Sequence, residues 1–166
     1  MTHVILNEFY VKQQVPYFIN YVKKYTDLPF LVTIKQNGSD YRTDTFLRAK
    51  DLGDTQNLAE WKTVVWDENT NKPEIPNGSI GFRWDGDSKW NLNLTKENGK
   101  EINPLLSFLN QSDEVIEVTF PYFAEEEGGV IRRGVPVKHV KDADGHILKV
   151  TTVFDLMMAH VGVNRG

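Results

Sequence analysis

The stretch IPNGSIGFRWDGDSKW, residues 75–90, predicts the strand hairpin around which the rest of the chain is arranged. Its Pro76-Asn77-Gly78 segment is typical of a turn, because Asn and Gly tolerate a positive φ and Pro fixes its own φ. Residues 80–84 then alternate large apolar side chains with smaller or polar ones, which is the two-residue period of a half-buried strand. Asp85-Gly86 is a hairpin turn pair, and residues 89–92 are predicted to return as the partner strand.

Upstream of this hairpin, Trp61–Trp66 is predicted as a third short strand, so that aromatic side chains line one face of a small sheet. Two interpretations of the hairpin's aromatic residues are open. Trp84 and Trp90, with Arg83 beside them, form either part of a packed core or an exposed platform for a sugar or a nucleobase. Core packing is favoured, because aromatic residues in strands usually pack.

The overall composition is that of one ordinary globular domain, or of one domain with an appendage. The 166 residues are 40% hydrophobic, which is enough apolar material for a sizeable core. A net charge of −4 speaks against a general nucleic-acid surface. The absence of cysteine excludes disulfides, thiolate catalysis and cysteine-ligated clusters within these residues. No apolar run is long enough to span a membrane, so no direct membrane insertion is predicted.

Two short helices are predicted at the amino end. The first carries the apolar residues Val4, Ile5, Leu6 and Phe9 but no capping residue precedes it, which indicates a segment cut from a longer polypeptide. The second helix covers residues 16–25 and begins with a proline at its first position, where the missing N–H costs nothing. It is predicted to carry its large apolar residues on one side: Tyr17, Phe18, Tyr21, Val22 and Tyr25.

Short strands, a helical turn and a final helix complete the predicted elements. Strands are expected over residues 30–35, 41–46, 115–120, 135–140 and 147–153. A helical turn is expected over 47–52, a polar loop over 67–74, a short amphipathic segment over 104–109, and a last helix over 154–161. Thr152 is the predicted N-cap of that helix and Gly162 its C-cap. The predicted fold class is α+β, with short helices at both ends around small, mostly antiparallel sheets and hairpins.

The histidines give no metal motif in the sequence. His139 and His146 face each other across a predicted hairpin, where a metal site is conceivable. Solvated or hydrogen-bonded histidines are the favoured interpretation, because no further donor is evident. His160 lies near the end of the last helix, where a positive charge suits the helix dipole.

The acidic clusters favour structural roles as well. Asp142-Ala143-Asp144-Gly145 resembles half of a calcium loop, but Lys149 and Thr151 stand where an EF-hand needs acids, so a hairpin turn is favoured. Glu125–Glu127 is predicted as a solvated loop. No glycine-rich phosphate loop and no nucleophilic serine motif is present. The residues therefore predict no catalytic residue and no metal ligand.

Several blocks of the sequence, taken together, resemble the alpha (catalytic) chain of bacterial respiratory, membrane-associated nitrate reductase, a molybdopterin oxidoreductase. They occur in one order from end to end: YVKKYTDLPFLV at 21–32, FLRAKDL at 46–52, EWKTV at 60–64, PNGSIGFRW at 76–84, FPYF at 120–123, PVK at 136–138 and VTTVFDL at 150–156. Residues 69–72 and 125–133 do not match the pattern.

The resemblance implies a much longer parent polypeptide that reduces nitrate to nitrite. That parent is expected to carry molybdenum bis-(molybdopterin guanine dinucleotide) and an iron–sulfur cluster. It is expected to receive electrons from quinol through an iron–sulfur beta and a membrane gamma subunit, in the cytoplasm at the inner face of the membrane. The family's molybdenum-ligating Asp and its Cys/His cluster motif match no position here. Residues 1–166 are thus expected to be a single internal segment of the alpha chain, with no cofactor of its own and inactive alone.

Two further expectations concern the isolated chain. The apolar faces formed by Val4/Ile5/Leu6/Phe9 and by Leu156/Met157/Ala159 are expected to be covered by the parent, so the isolated chain should self-associate. The alternative function is a free-standing binding module that uses Trp84 and Trp90 as an aromatic platform. A small hydrolase is the third option, and it lacks a recognisable nucleophile–base pair.

Overall fold

The computed structural model describes residues 1–77, 94–96, 98–122 and 129–163. The α-helices are α1 Thr2–Leu6, α2 Pro16–Tyr25 and α3 Val153–Val161, with a π-helical segment Asn7–Lys12 after α1 and a 3-10 turn Ala49–Leu52. The strands are β1 Leu31–Asn37, β2 Asp40–Phe46, β3 Val65–Asp67, β4 Lys72–Glu74, β5 Glu114–Pro121, β6 Val130–Lys141 and β7 Ile147–Thr152. Helices near both ends with strands between them confirm the predicted α+β class.

Five of the strands close into a barrel in the order β1-β2-β5-β6-β7, with β7 returning to β1. Four of its five pairings are antiparallel, whereas β2 and β5 run parallel and pair at Tyr41↔Val118. The predicted mostly antiparallel pairing is confirmed. Closure into a barrel joins residues far apart in sequence, and local patterns do not reveal it.

A separate two-stranded sheet pairs β3 with β4, and here the predicted boundaries are wrong. The strand begins at Val65 and not at Trp61, because Trp61 closes a turn in which its N–H donates to the Leu58 carbonyl at 2.9 Å. Residues 67–74, predicted as a loop, contain β4. A strand with Pro73 at its centre is tolerated because a two-stranded sheet consists only of edge strands.

The predicted hairpin of residues 80–92, with Trp84 and Trp90, lies outside the described residues, and so does Glu125–Glu127. Its leading turn is partly described. Pro76 is buried, and the Asn77 N–H donates to the Thr95 carbonyl at 2.8 Å.

Helix α2 has the predicted bounds, with Pro16 in its first turn. Its apolar residues do not share one side, however. Val22 is buried, and Phe18 and Ile19 pack with it in the core, whereas the three tyrosines face outward. The apolar arc is wider than the contact that the core provides, so part of the arc remains uncovered.

Helix α3 begins one residue before its predicted start, and its end and both of its caps are as predicted. Thr152 Oγ1 accepts a hydrogen bond from the Asp155 N–H at 3.0 Å, and Gly162 closes the helix with a left-handed φ of 71°. His160 stands in its last turn and stacks on the Phe120 ring at 5.3 Å. In the described residues no helix has both the length and the apolar character needed to cross a membrane.

The chain itself covers part of the two apolar helix faces that were expected to need the parent polypeptide. Leu6 and Ala159 are 1% and 6% exposed, because α1 and α3 pack their inner residues into the core. Residues 104–109 run extended, not helical, and alternate between buried and more exposed side chains. Leu106 joins the core beneath the helices, whereas Phe108 joins the core beside Trp66. This segment therefore links the two cores.

Candidate functional site

Two carboxylates are buried among the described residues, and Asp155 is the one set in the core between helix α3 and the extended segment. Its oxygens accept hydrogen bonds from Ser107 Oγ at 2.6 Å and from the Phe108 N–H at 2.8 Å. Burial outweighs these bonds and raises the pKa of Asp155 to about 6. Burial, and secondly the nearby Asp155 charge, also raise the pKa of Tyr10.

This group has the chemistry of a general acid but a structural environment. A raised carboxyl pKa is common at catalytic sites and also in structural networks. Both oxygens of Asp155 are occupied by the segment that they hold, and the residue is 1% exposed. The sequence contained a signal for it: Thr152-x-x-Asp155 before an apolar run has the spacing of a capping box.

The second buried carboxylate, Asp67, organises the loop after β3. It accepts bonds from the Asn103 N–H at 2.9 Å and from Thr70 Oγ1 at 2.9 Å. Burial alone would raise the pKa of Asp67, but these bonds, with one from the Asn69 N–H, lower it below the usual value. The carboxylate is thus held ionised by donors of its own chain.

Lys138 is a buried cation that no motif in the sequence predicts. Its side chain is 5% exposed, and its Nζ lies 4.7 Å from the centre of the Trp66 ring and 5.6 Å from that of Phe108. Such contacts stabilise an ammonium group by about 2 kcal/mol or more when it is desolvated. No sequence pattern predicts this arrangement, because the three residues come from different parts of the chain.

The two hairpin histidines belong to different clusters. His139 stands opposite Lys149 in the β6–β7 ladder, and its Nε2 lies 2.9 Å from Glu114 Oε1, which also pairs with Lys149. His146 lies in the turn, 3.3 Å from Asp142. The structure therefore does not bring the histidines together in one metal site.

Asp142, Asp144 and His146 do lie close enough for one ion, with their ligand atoms within 4.8 Å of one another. Asp142 is already committed to the turn, because its Oδ1 accepts the N–H groups of Asp144 and His146 at 2.9 and 2.8 Å. Desolvation is the largest single effect and would raise the pKa of Asp142, but these bonds and the interactions with the His146 side chain together lower it. The hairpin-turn prediction is confirmed.

A cleft of about 710 Å³ opens beside β2. Its charged lining serves the surrounding loops: the Arg48 N–H donates to Asp51 at 2.8 Å, the Arg48 guanidinium donates to the Trp61 carbonyl at 2.9 Å, and Asp44 pairs with Lys35 at 2.9 Å. Arg48 also covers the Phe46 ring at 5.3 Å. The cleft therefore offers apolar and charged surface but no nucleophile paired with a base in its described lining.

No protein-family model matches the chain. The nitrate reductase alpha chain of Bacillus subtilis is 47% identical to it over 167 aligned residues, which cover 100% of the chain. The respiratory nitrate reductase 1 alpha chain of Escherichia coli is 42% identical, again over 100% of the chain. Along its whole length, the sequence is therefore similar to part of nitrate reductase alpha chains. The alpha subunit of Mycobacterium tuberculosis is similarly 42% identical over 99% of the chain.

The chain spans only 13–14% of the length of these alpha chains. The similarity therefore covers one segment of these much larger proteins. The resemblance seen in the sequence blocks is confirmed by these matches, which extend through the loops that the blocks left unmatched.

Proposed function

We propose that the chain is a structural segment of a respiratory nitrate reductase alpha subunit, an oxidoreductase that reduces nitrate to nitrite. The observation that carries this proposal is the 47% identity with a named alpha chain over the whole of the present sequence. In this proposal residues 1–166 form one unit within the alpha chain and support the parts that bind the cofactors.

The segment has no thiolate for an iron–sulfur cluster, and the group of possible metal ligands in its described residues is built into a surface turn. The chain has no cysteine for a cluster. The described acidic cluster on the β6–β7 turn offers oxygen and imidazole ligands, and Asp142 is bonded to its own turn. A bis-(molybdopterin guanine dinucleotide) site and the cluster are therefore proposed for other parts of the alpha subunit, and no reaction step passes through these residues.

The same proposal places the segment in a multi-subunit complex. Electrons from quinol would arrive through an iron–sulfur beta subunit and a membrane gamma subunit, with the alpha subunit in the cytoplasm at the inner face of the membrane. The word "respiratory" in the name of the Escherichia coli relative supports this setting. Cell fractionation tests this arrangement. The alpha subunit should be found in the membrane fraction when the beta and gamma subunits are present and in the soluble fraction when they are absent.

The structural role is tested in the full-length alpha subunit. Replacing residues 1–166 by a short linker should abolish molybdenum loading and the reduction of nitrate by a reduced dye. The triple variant His139→Ala, Asp142→Ala, His146→Ala is the matched control, and it should keep the molybdenum content and turnover of the parent. A deletion variant that loads molybdenum and turns over normally would overturn the proposal, as would loss of molybdenum in a folded triple variant.

The 166-residue chain alone provides the complementary measurement. Metal analysis and the reduced-dye assay should detect neither molybdenum nor turnover. The alternative of a free-standing module predicts a change in tryptophan fluorescence on titration with oligosaccharides or nucleotides, which a structural segment should not show.

A further inference from the structure

The exposed apolar residues are concentrated at the helical end of the molecule. Among the described residues, eight of the fourteen exposed large hydrophobic side chains lie within the first 25 positions. We define the helical face as the outward side chains of α1, the π-helical segment and α2, listed here: Val4, Ile5, Phe9, Val11, Tyr17, Tyr21 and Tyr25. Exposed apolar surface that is concentrated in one part of a molecule marks interaction sites on proteins.

Three tyrosines form an ordered row on this face. They follow one another at a spacing of four residues, which places them on one line along α2. The ring centres of Tyr17 and Tyr21 are 6.5 Å apart, and those of Tyr21 and Tyr25 are 5.2 Å apart. The same side chains are 81%, 50% and 48% exposed. Neighbouring rings that contact one another and remain about half or more exposed present apolar area that is already ordered.

The chemistry of the row indicates what it contacts. Tyrosine offers a flat apolar ring and a hydroxyl that can donate a hydrogen bond, which explains its enrichment in protein interfaces. Lys24 adds a positive charge beside the row, because its Nζ lies 5.7 Å from the Tyr25 ring centre. The complementary surface is therefore apolar, with carbonyl or carboxylate acceptors opposite the hydroxyls and Lys24.

Resting on the proposed function, we infer that the helical face docks against another part of the same alpha-chain polypeptide. The relatives extend far beyond the matched segment, because the chain covers 14% of their length. A surface belonging to the same polypeptide is held at a high effective concentration. An intramolecular partner therefore needs no separate association step, and the tyrosine row becomes part of an interior interface of the subunit.

The direct test is hydroxyl-radical footprinting of the full-length alpha subunit, resolved by peptide. The protection of each tyrosine is its modification rate in the urea-unfolded subunit divided by its modification rate in the native subunit. Tyr17, Tyr21 and Tyr25 should be protected at least ten-fold. Tyr122, which is 40% exposed at the end of β5, is the internal control and should be protected less than three-fold. Protection of Tyr17 below two-fold, as expected for the 81% exposed side chain, overturns the inference.

The other occupants give distinct outcomes. Protection that disappears on dilution, together with a change from dimer to monomer in sedimentation, means that a second copy covers the face and overturns the inference. Protection that appears only after partner subunits are added also overturns the inference, because another subunit then covers the face. Tyr17→Lys/Tyr21→Lys should lower the midpoint of thermal unfolding of the full-length subunit, whereas Tyr122→Lys should not. The two proposals can fail separately. If the deletion variant still loads molybdenum, while the tyrosines of the intact subunit are protected, the proposed function fails and the docking inference stands.

Discussion

At the scale of single residues, Asp155 shows how a carboxylate can be central to a fold and still cost free energy when charged. Its two hydrogen bonds hold residues 104–109 against α3, whereas burial favours the neutral form. The gap between 3.8 and about 6 corresponds to about 3 kcal/mol of lost stability when the group is ionised.

The pH dependence of this residue has a definite sign. A raised pKa in the fold means that the contribution of Asp155 is greatest below its unfolded pKa and declines as pH rises through about 6. Tyr10, the other titratable group in this network, has its pKa raised further above 10 and does not titrate in this range. Asp67 has a lowered pKa, so its contribution is lost only at lower pH. A decline in the free energy of unfolding as pH rises from 4 to 6.5 is therefore the signature expected of Asp155.

Asp155→Asn should flatten the dependence of unfolding free energy on pH between 4 and 6.5. The amide oxygen can still accept the Phe108 N–H, and the Ser107 hydroxyl can turn to accept from the amide nitrogen. The variant should equal or exceed the parent in stability at pH 7.5 in urea titrations. Asp155→Ala, which leaves the donors unsatisfied, should lose about 1–3 kcal/mol. A parent curve without any decline between pH 4 and 6.5 would contradict this account.

At the scale of elements, the sequence predicts a helix correctly where capping or turn residues mark the ends of that helix. Pro16 begins α2, and Thr152 and Gly162 bound α3, because these residues act on neighbouring backbone groups. The predicted boundaries of the β3–β4 sheet are wrong because the pairing of its strands depends on a turn that buries Asp67. No sequence pattern indicates that turn. The Lys138 contacts and the barrel closure, which join distant residues, could not be read from spacing at all.

Thr152 links two elements through one hydroxyl group. The group accepts from the Asp155 N–H at 3.0 Å and donates to the Leu106 carbonyl at 2.6 Å, both in the buried interior. Thr152→Ala should cost about 1–3 kcal/mol, a fall of roughly 2–12 °C in the midpoint of thermal unfolding. Thr152→Ser keeps the hydroxyl and should lose much less. Equal losses in both variants would assign the effect to packing of the methyl group and not to the cap.

At the scale of the whole molecule, the barrel is closed unevenly. The β5–β6 ladder is continuous from Glu114↔Val137 to Pro121↔Val130, whereas β2 and β5 pair only at Tyr41↔Val118. One ion pair, Arg132 with Asp40 at 3.3 Å, supports this seam from the surface. The β1–β2 hairpin is otherwise held through the first four residues of β1, which pair with β7. The seam is therefore the place where the barrel should open first.

Hydrogen exchange of the native chain measures this opening. Amides in Asp40–Phe46 should exchange at least ten-fold faster than those in Glu114–Pro121, because losing the seam frees β2 while β5 stays paired with β6. Val118→Ala removes a buried side chain at the seam and should accelerate exchange in β2 selectively. Val150→Ala, equally buried but paired between β6 and β1, should instead accelerate exchange in β7 and its neighbours. If both variants raise exchange uniformly, the barrel opens only as a whole and the seam has no stability of its own.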